Sequence, residues 1–343
     1  MIMQTAHDLS NISSIRVVVT GGCGFIGSNL ILYLLKHRPN WEIINIDALT
    51  YAANPANLAE IANDPRYHFA HIDIRNRTEL QKVFDQYQPN GVFHLAAESH
   101  VDNSINNPQH FIESNVVGTF QLLEVCRQSW GNKANSRFLH VSTDEVYGSL
   151  GATGFFNEES QYAPNSPYSA SKAGSDHLVR AWHHTYGVNV VTTHCANNFG
   201  PRQHREKLIP TVIRTALSHC PIPVYGDGSN VREWLYVDDH CNALLQVFEQ
   251  GIAGEAYAIG ARNEWRNIDL INTICSVLDD YIGNGPVGGY SNLITFVPDR
   301  LGHDLRYAID PSKIEQKLDW KPSGDFQDKL RETVMWFAQS ISR

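Results

Sequence analysis

Two carboxylates stand side by side at Asp144 and Glu145, within Ser142-Thr-Asp-Glu-Val-Tyr-Gly148. Adjacent carboxyls in a site that excludes water cannot both ionise easily, so one tends to keep its proton. The pair is therefore suited to general acid and general base work. The sequence does not say which member holds the proton. A second constellation follows in Tyr168-Ser-Ala-Ser-Lys172, directly after Pro167. Tyr and Lys four apart share one helical face, which sets an ammonium beside a phenol. A neighbouring cation favours phenolate and lowers the Tyr pKa from its usual value of ~10. Tyr168 is then a credible base for a hydroxyl group.

These groups need a scaffold, and the N-terminal third supplies its signature. The apolar run Ile15-Arg-Val-Val-Val19 leads into Thr20-Gly-Gly-Cys-Gly-Phe-Ile-Gly27. A buried strand passes through a glycine turn at Gly21, Gly24 and Gly27 into an amphipathic helix over Phe25–His37. Backbone N–H groups and a helix N-terminus then point at a pyrophosphate. A second strand, Glu42-Ile-Ile-Asn-Ile46, ends at Asp47, 20 residues after Gly27. That spacing suits a carboxylate accepting from a ribose 2′-hydroxyl, which favours NAD over NADP. Ala48 follows, so no adjacent cation welcomes a 2′-phosphate.

Further strands are expected over 67–72, 91–95, 138–142 and 188–195, with helices between them over 78–87 and 111–129. Such alternation predicts an α/β fold, a doubly wound, mostly parallel Rossmann-type sheet with a smaller α/β lobe. Ligands in such sheets lie beyond the carboxyl ends of the strands, where Asp144 and Glu145 fall. The expected organisation is an N-terminal extension over 1–14 and a dinucleotide-binding domain over 15–199. Segment 238–262 is expected to return to that domain. Segments 200–237 and 263–343 form the substrate lobe, with helices at 207–218 and 310–320.

The 343 residues carry a net charge of -9 and are 42% hydrophobic. The negative balance argues against non-specific binding to nucleic acid or an anionic membrane. No apolar run approaches a membrane span. Cys23, Cys126, Cys195, Cys220, Cys241 and Cys275 are scattered without metal-type spacing, so no metal is expected. A polar N-terminus without a signal-peptide core and unpaired cysteines predict a cytoplasmic protein.

Other stretches carry a family likeness. They are Asp47-Ala-Leu-Thr-Tyr-Ala52, His94-Leu-Ala-Ala-Glu-Ser-His-Val-Asp102, Asn197-Asn-Phe-Gly-Pro201, Glu206-Lys-Leu-Ile-Pro210, Arg232-Glu-Trp-Leu-Tyr-Val-Asp238 and Gly302-His-Asp304. With the glycine turn and the Tyr–Lys pair, the chain resembles the extended short-chain dehydrogenase/reductase family in its nucleotide-sugar branch. The likeness runs from about Ser14 to the C-terminus. The Asp–Glu pair narrows it to the 4,6-dehydratases, since related 4-epimerases lack that pair.

The resemblance implies conversion of dTDP-glucose to dTDP-4-keto-6-deoxyglucose and water by internal hydride transfer through bound NAD. The alternative is dehydration or 4-epimerisation of another nucleotide sugar, such as UDP-glucose. In the implied cycle Tyr168 takes the proton of the 4-hydroxyl and Glu145 that of C5. Asp144 protonates the departing 6-oxygen, Thr143 bonds near the 4-oxygen, and Lys172 serves Tyr168. The implied cofactor contacts are Gly21, Gly24, Phe25, Ile26 and Gly27 at the pyrophosphate, and Asp47, Ala48, Leu49 and Thr50 along the adenosine ribose. Asp73 and Ile74 flank the adenine. Leu95, Ala96, Ala97, Glu98, Ser99 and Ser114 line the nicotinamide side, with Tyr168, Lys172 and Asn198.

The implied substrate contacts are Ser99, Thr143, Asn197, Asn267 and His303, together with Lys207 and Leu208. Pro223, Val224 and Tyr225 form the wall against the base, and Arg232, Asp299 and Arg300 lie near the diphosphate. Homodimers are implied, with the helices over 111–129 and 167–186 at the interface. The chain departs from the family pattern at Ala48, Asn103, Phe199 and Leu301. It departs also at Arg202-Gln-His-Arg205, a stretch that bears on the choice of nucleotide or sugar.

Overall fold

The computed structural model describes residues 15–131, 135–282, 285–299 and 303–341. The expected N-terminal extension, Arg300 and Leu301 lie outside the described residues. Among the described residues twelve strands run in chain order: β1 (Ile15–Thr20), β2 (Trp41–Asp47), β3 (Tyr67–His71), β4 (Gly91–His94), β5 (Arg137–Thr143), β6 (Val190–Cys195), β7 (Asn197–Phe199), β8 (Ile222–Tyr225), β9 (Val231–Tyr236), β10 (Ala256–Ile259), β11 (Glu264–Arg266) and β12 (Ile294–Val297).

Seven of these form one sheet in the order β10-β6-β5-β4-β1-β2-β3. Every pairing in it is parallel. The runs Val17–Val19 and Ile43–Ile44 are fully buried, as strands covered on both faces require. On one face Leu30, Ile31 and Leu34 of the helix Phe25–His37 join Leu244, Val247 and Phe248 of the helix Val237–Gln250. On the other face Leu80 and Phe84 meet Leu122, Cys126 and Val179, from the helices Arg77–Tyr87, Thr119–Trp130 and Pro167–Tyr186. The chain fills β1, β2 and β3 outward, then crosses back to place β4 on the other side of β1. The crevice at that switch point is where an open α/β sheet binds ligands.

A smaller lobe holds a three-stranded sheet, β11-β9-β7, and a two-stranded sheet, β12-β8. Its core joins Ile209, Val212 and Ile213 to Ile222, Leu270, Ile274 and Leu330.

Three features differ from the sequence expectation. The strand β7 lies within 15–199 yet pairs with β9 of the smaller lobe. Ile309, Ile314, Leu318 and Trp320, expected in the substrate lobe, pack into the core of the large sheet. The Trp320 indole donates to Asp239 O at 3.3 Å, which ties that segment to the helix Val237–Gln250. Apolar spacing marks these residues as buried but does not say which core receives them. The stretch expected as one helix over 111–129 is interrupted, with a π-helical turn at Ile112–Gly118 before the regular helix Thr119–Trp130. Among the described residues no helix is long and apolar enough to cross a membrane.

Candidate active site

A single cavity of about 960 Å³ opens at the carboxyl ends of the large sheet and continues into the smaller lobe. Of the described residues expected to bind cofactor or substrate, all line it except Leu49 and Asp299. Leu49 instead donates its backbone N–H to Asp47 Oδ1 at 2.8 Å, from a left-handed conformation with φ of 53°. The Asp299 carboxylate accepts from His303 Nδ1 at 2.6 Å. It therefore orients a lining residue rather than lining the cavity itself.

The glycine turn is shaped as a cradle. Gly21 has φ of 71°, and a Cβ there meets the Ala96 backbone at 2.9 Å. A Cβ on Gly27 meets Gly21 O at 2.2 Å. Both positions therefore demand glycine, and the cradle keeps its backbone close to whatever lies in the cavity. Asp47 closes one end. Its Oδ2 accepts from Cys23 N at 2.9 Å, so the ribose-type carboxylate is fixed by the turn itself. Each carboxylate oxygen retains capacity for a further donor. These residues fit an adenine dinucleotide.

The catalytic candidates converge from two elements. Strand β5 delivers Thr143, and a single 3₁₀ turn, Asp144–Tyr147, begins there. Thr143 Oγ1 caps that turn by accepting from Glu145 N at 3.3 Å. Asp144 is buried at 2% exposure, whereas Glu145 is half-buried. Thr143 also donates to Asp144 Oδ1 at 3.3 Å, and Asp144 Oδ2 has no hydrogen-bond partner among the described residues. Burial first, then the neighbouring Glu145 and Glu233, pushes the Asp144 pKa well above the usual carboxylate range. Burial therefore favours the protonated form of Asp144.

Tyr168 and Lys172 come from the helix Pro167–Tyr186. Its start is fixed by Pro167 in the first turn and by a capping box between Ser166 and Ser169. Both side chains are buried. The expected lowering of the phenol by Lys172 is not what the structure holds. Lys172 Nζ donates to Val141 O at 2.8 Å. Burial, followed by Glu145 and Cys195, drives the Tyr168 pKa well above 10, with a Thr143 hydrogen bond working the other way. Desolvation of the phenolate outweighs one cation that is itself desolvated. Burial also lowers the Lys172 pKa, while Asp176 and Cys195 raise it.

The far end of the cavity lies against the smaller lobe. Arg232 is 5% exposed, with Nη2 on Asp304 O at 2.9 Å and its guanidinium 4.4 Å from the Tyr307 ring centroid. Lys207 Nζ donates to Ser99 O at 3.1 Å and so bridges the two lobes. The Asn267 Oδ1 is buried without a hydrogen-bond partner among the described residues, an acceptor suited to a ligand donor.

Sequence reasoning missed several lining residues: Tyr51, His100, Gln203, His204, Glu206 and Tyr307. The signal for two of them, Gln203 and His204, was the unusual stretch after Pro201, assigned to sugar or nucleotide choice. Arg202 instead turns toward the dinucleotide-binding side. With φ of 69°, it donates to Asn57 O at 3.3 Å, Asn29 Oδ1 at 3.2 Å and Glu60 Oε1 at 3.1 Å. His100, His204 and Glu206 gather over the same region, with Glu206 Oε2 at 3.7 Å from His100 Nε2 and 3.6 Å from His204 Nδ1. Among the described residues no group of three His, Cys, Asp or Glu side chains is placed to hold a metal.

Known proteins are similar to this chain in sequence and fold. Residues 18–333 match the family model described as GDP-mannose 4,6 dehydratase. A dTDP-glucose 4,6-dehydratase of Neisseria meningitidis serogroup B is 51% identical over 330 residues, covering 94% of this chain and 93% of that protein. The crystal structure of a dTDP-glucose 4,6-dehydratase from Streptomyces venezuelae, solved with NAD bound, superposes with a TM-score of 0.88 at 44% identity, covering 96% of this chain and 98% of the other. A UDP-glucose 4-epimerase from Thermus thermophilus in complex with NAD shares the fold at a TM-score of 0.83 and 27% identity, covering 94% and 99%. The chain belongs to the GDP-mannose 4,6 dehydratase family, and within that family it stands with the dTDP-glucose 4,6-dehydratases.

Proposed function

We propose that the protein is an NAD-dependent hydro-lyase that converts dTDP-glucose to dTDP-4-keto-6-deoxyglucose and water. The observation that carries this reading is the buried Asp144 beside the half-buried Glu145, in one cavity with Tyr168, Lys172 and the glycine cradle. An epimerase needs no such pair, and the relatives of high identity bear the dehydratase name.

The division of labour follows from the environments. The glycine cradle and Asp47 would hold NAD, which would supply the hydride acceptor and donor for the sugar. Tyr168 accepts the proton of the 4-hydroxyl as phenolate, a form opposed by its burial and favoured by the Thr143 hydrogen bond, by Lys172 as the nearby cation and by the positive ring that bound NAD would bring. Oxidation at C4 acidifies the C5 proton, and the more exposed Glu145 removes it. Asp144 donates its proton to the departing 6-oxygen, the role suited to a carboxyl kept neutral by burial. Arg232, Lys207 and Asn267 are assigned to the nucleoside diphosphate, where cations offset its charge.

We assign the protein to the cytoplasm and to a homodimer. Ile112 and Val117, 47% and 40% exposed beside the Thr119–Trp130 helix, support an interface there. The test is product analysis. Purified protein loaded with NAD is given dTDP-glucose, and the 4-keto-6-deoxy product is read by its absorbance in alkali. Ketone from UDP-glucose alone would keep the mechanism and replace the substrate. An epimerised sugar with no ketone would replace the reaction.

A further inference from the structure

Beneath the cavity floor lies a carboxylate that the proposed cycle does not use. Asp176 is 4% exposed and sits one turn beyond Lys172 on the helix Pro167–Tyr186. Four side chains from three other segments surround it. Its Oδ2 accepts from Ser142 Oγ at 2.8 Å, Tyr162 OH at 3.0 Å and His194 Nε2 at 3.1 Å. Its Oδ1 accepts from His140 Nε2 at 3.0 Å. Donation from both Nε2 atoms fixes the histidine tautomers, because an ionised carboxylate only accepts. The Nδ1 atoms of His140 and His194 find no hydrogen-bond partner among the described residues. Burial, with Lys172 next in weight, pushes the His140 pKa down to about 4. The hydrogen bonds from His140 and His194 hold Asp176 in its ionised form, so the cluster's negative charge is fixed there.

A buried charge with this many donors needs a reason, since an uncompensated ion in a low-dielectric interior is costly. One turn away on the same helix lies Lys172, also 4% exposed, and Asp176 favours its charged form. Its ammonium donates to the neutral Val141 carbonyl. Resting on the assignment of Lys172 to the oxidation step, we propose that Asp176 is the fixed counter-anion that keeps Lys172 an ammonium while Tyr168 accepts the substrate proton. Asp176 is a positioning residue in this account. It touches neither substrate nor cofactor and acts through Lys172.

The charged and titratable groups around the pair are accounted for. Lys172 is faced by His94 from β4, by His140 from β5 and by Cys195 from β6. Tyr168 lies a turn before it, near Asp144 and Glu145. Asp176 is faced by His140 and His194, and by Tyr147 and Tyr162. Burial holds His94 well below its usual range and lifts Cys195 to about 12. Neither changes charge between neutral and mildly alkaline pH. Loss of the Lys172 proton is therefore what limits oxidation on the alkaline side.

The test is Asp176→Asn in the NAD-loaded enzyme. An amide nearly matches the carboxylate in shape, and an imidazole switched to its Nδ1–H tautomer accepts from the new N–H. Single-turnover reduction of bound NAD by dTDP-glucose is measured across pH. Removing the anion lowers the Lys172 pKa, so the alkaline limb moves to lower pH by about 1–3 units, the usual effect of one close opposite charge. Tyr162→Phe, which removes one donor and leaves the charge, keeps the limb in place. If Asp176→Asn does not retain NAD, Asp176→Ser takes its place with the same readout. An unmoved limb in a folded, NAD-loaded variant overturns the inference. Lys172→Ala separates this from the underlying reading: undiminished NAD reduction in that variant refutes the role of Lys172, whereas a loss there with an unmoved limb in Asp176→Asn refutes only the counter-anion.

Discussion

Asp144→Asn separates the two halves of the proposed cycle. The amide keeps the size of the side chain and the oxygen that accepts from Thr143 at 3.3 Å. It also keeps a neutral group in a site where burial and Glu145 already favour the neutral carboxyl. Binding and oxidation at C4 should therefore run near the wild-type rate. What disappears is the acidic proton for the 6-oxygen. General acid catalysis is worth roughly 10²–10⁴ in rate, or about 3–5 kcal/mol of barrier. Dehydration should slow by that factor while oxidation does not. Reduced cofactor then accumulates on the enzyme, seen by its near-ultraviolet absorbance in a rapid-mixing experiment, and ketone appears only slowly. Dehydration at the wild-type rate would refute the role given to Asp144. Failure to reduce NAD at all would place Asp144 in the oxidation step instead.

Tyr168→Phe removes the base for the 4-hydroxyl, so bound NAD should stay oxidised on mixing with substrate and no ketone should form. Gly27→Ala drives a Cβ to 2.2 Å from Gly21 O, backbone against backbone, so the purified variant should lack NAD in an assay of cofactor released on denaturation. Arg202→Ala breaks three hydrogen bonds that tie its loop to the first lobe, two of them to Asn29 and Glu60 side chains. Partial exposure limits the cost, and urea unfolding should show a loss of about 1–2 kcal/mol. Acid stability should carry the signature of buried neutral imidazoles. Burial lowers the His240 pKa to about 3. The unfolded chain therefore takes up that proton first, and stability is lost as pH falls from about 6.5 toward 3, at up to ~1.4 kcal/mol per pH unit for each such group. His140 adds to this slope, and Asp144 and Glu233, with raised pKa values, oppose it. His240→Asn should flatten the slope by up to one proton, measured by urea unfolding over a pH series.

The large sheet was legible because its strands are continuous apolar runs punctuated by glycine. Val17–Val19 before the cradle and Ile43–Ile46 before Asp47 carry their register and their ligand end in the same few residues. The candidate site was legible for a related reason. The Asp–Glu pair and the Tyr–Lys pair are short-range motifs attached to a strand end and a helix start. What escaped was tertiary. Trp320 and Ile314 look like any apolar helix residues, and only packing reveals that they complete the large core. The lining residues His100, His204 and Glu206 are ordinary surface types until two distant loops bring them together. The ordering of the phenol and carboxyl pKa values also lay beyond the sequence. Burial is the largest influence on both Tyr168 and Asp144, and burial is a property of the whole fold.

The central claim is that this cavity dehydrates dTDP-glucose through bound NAD. The most direct measurement incubates the NAD-loaded protein with dTDP-glucose and, separately, with UDP-glucose, and follows the alkali-induced absorbance of the 4-keto-6-deoxy sugar. The account predicts a strong signal with dTDP-glucose and a much weaker one with UDP-glucose. No ketone from dTDP-glucose, in protein shown to hold NAD, would contradict it.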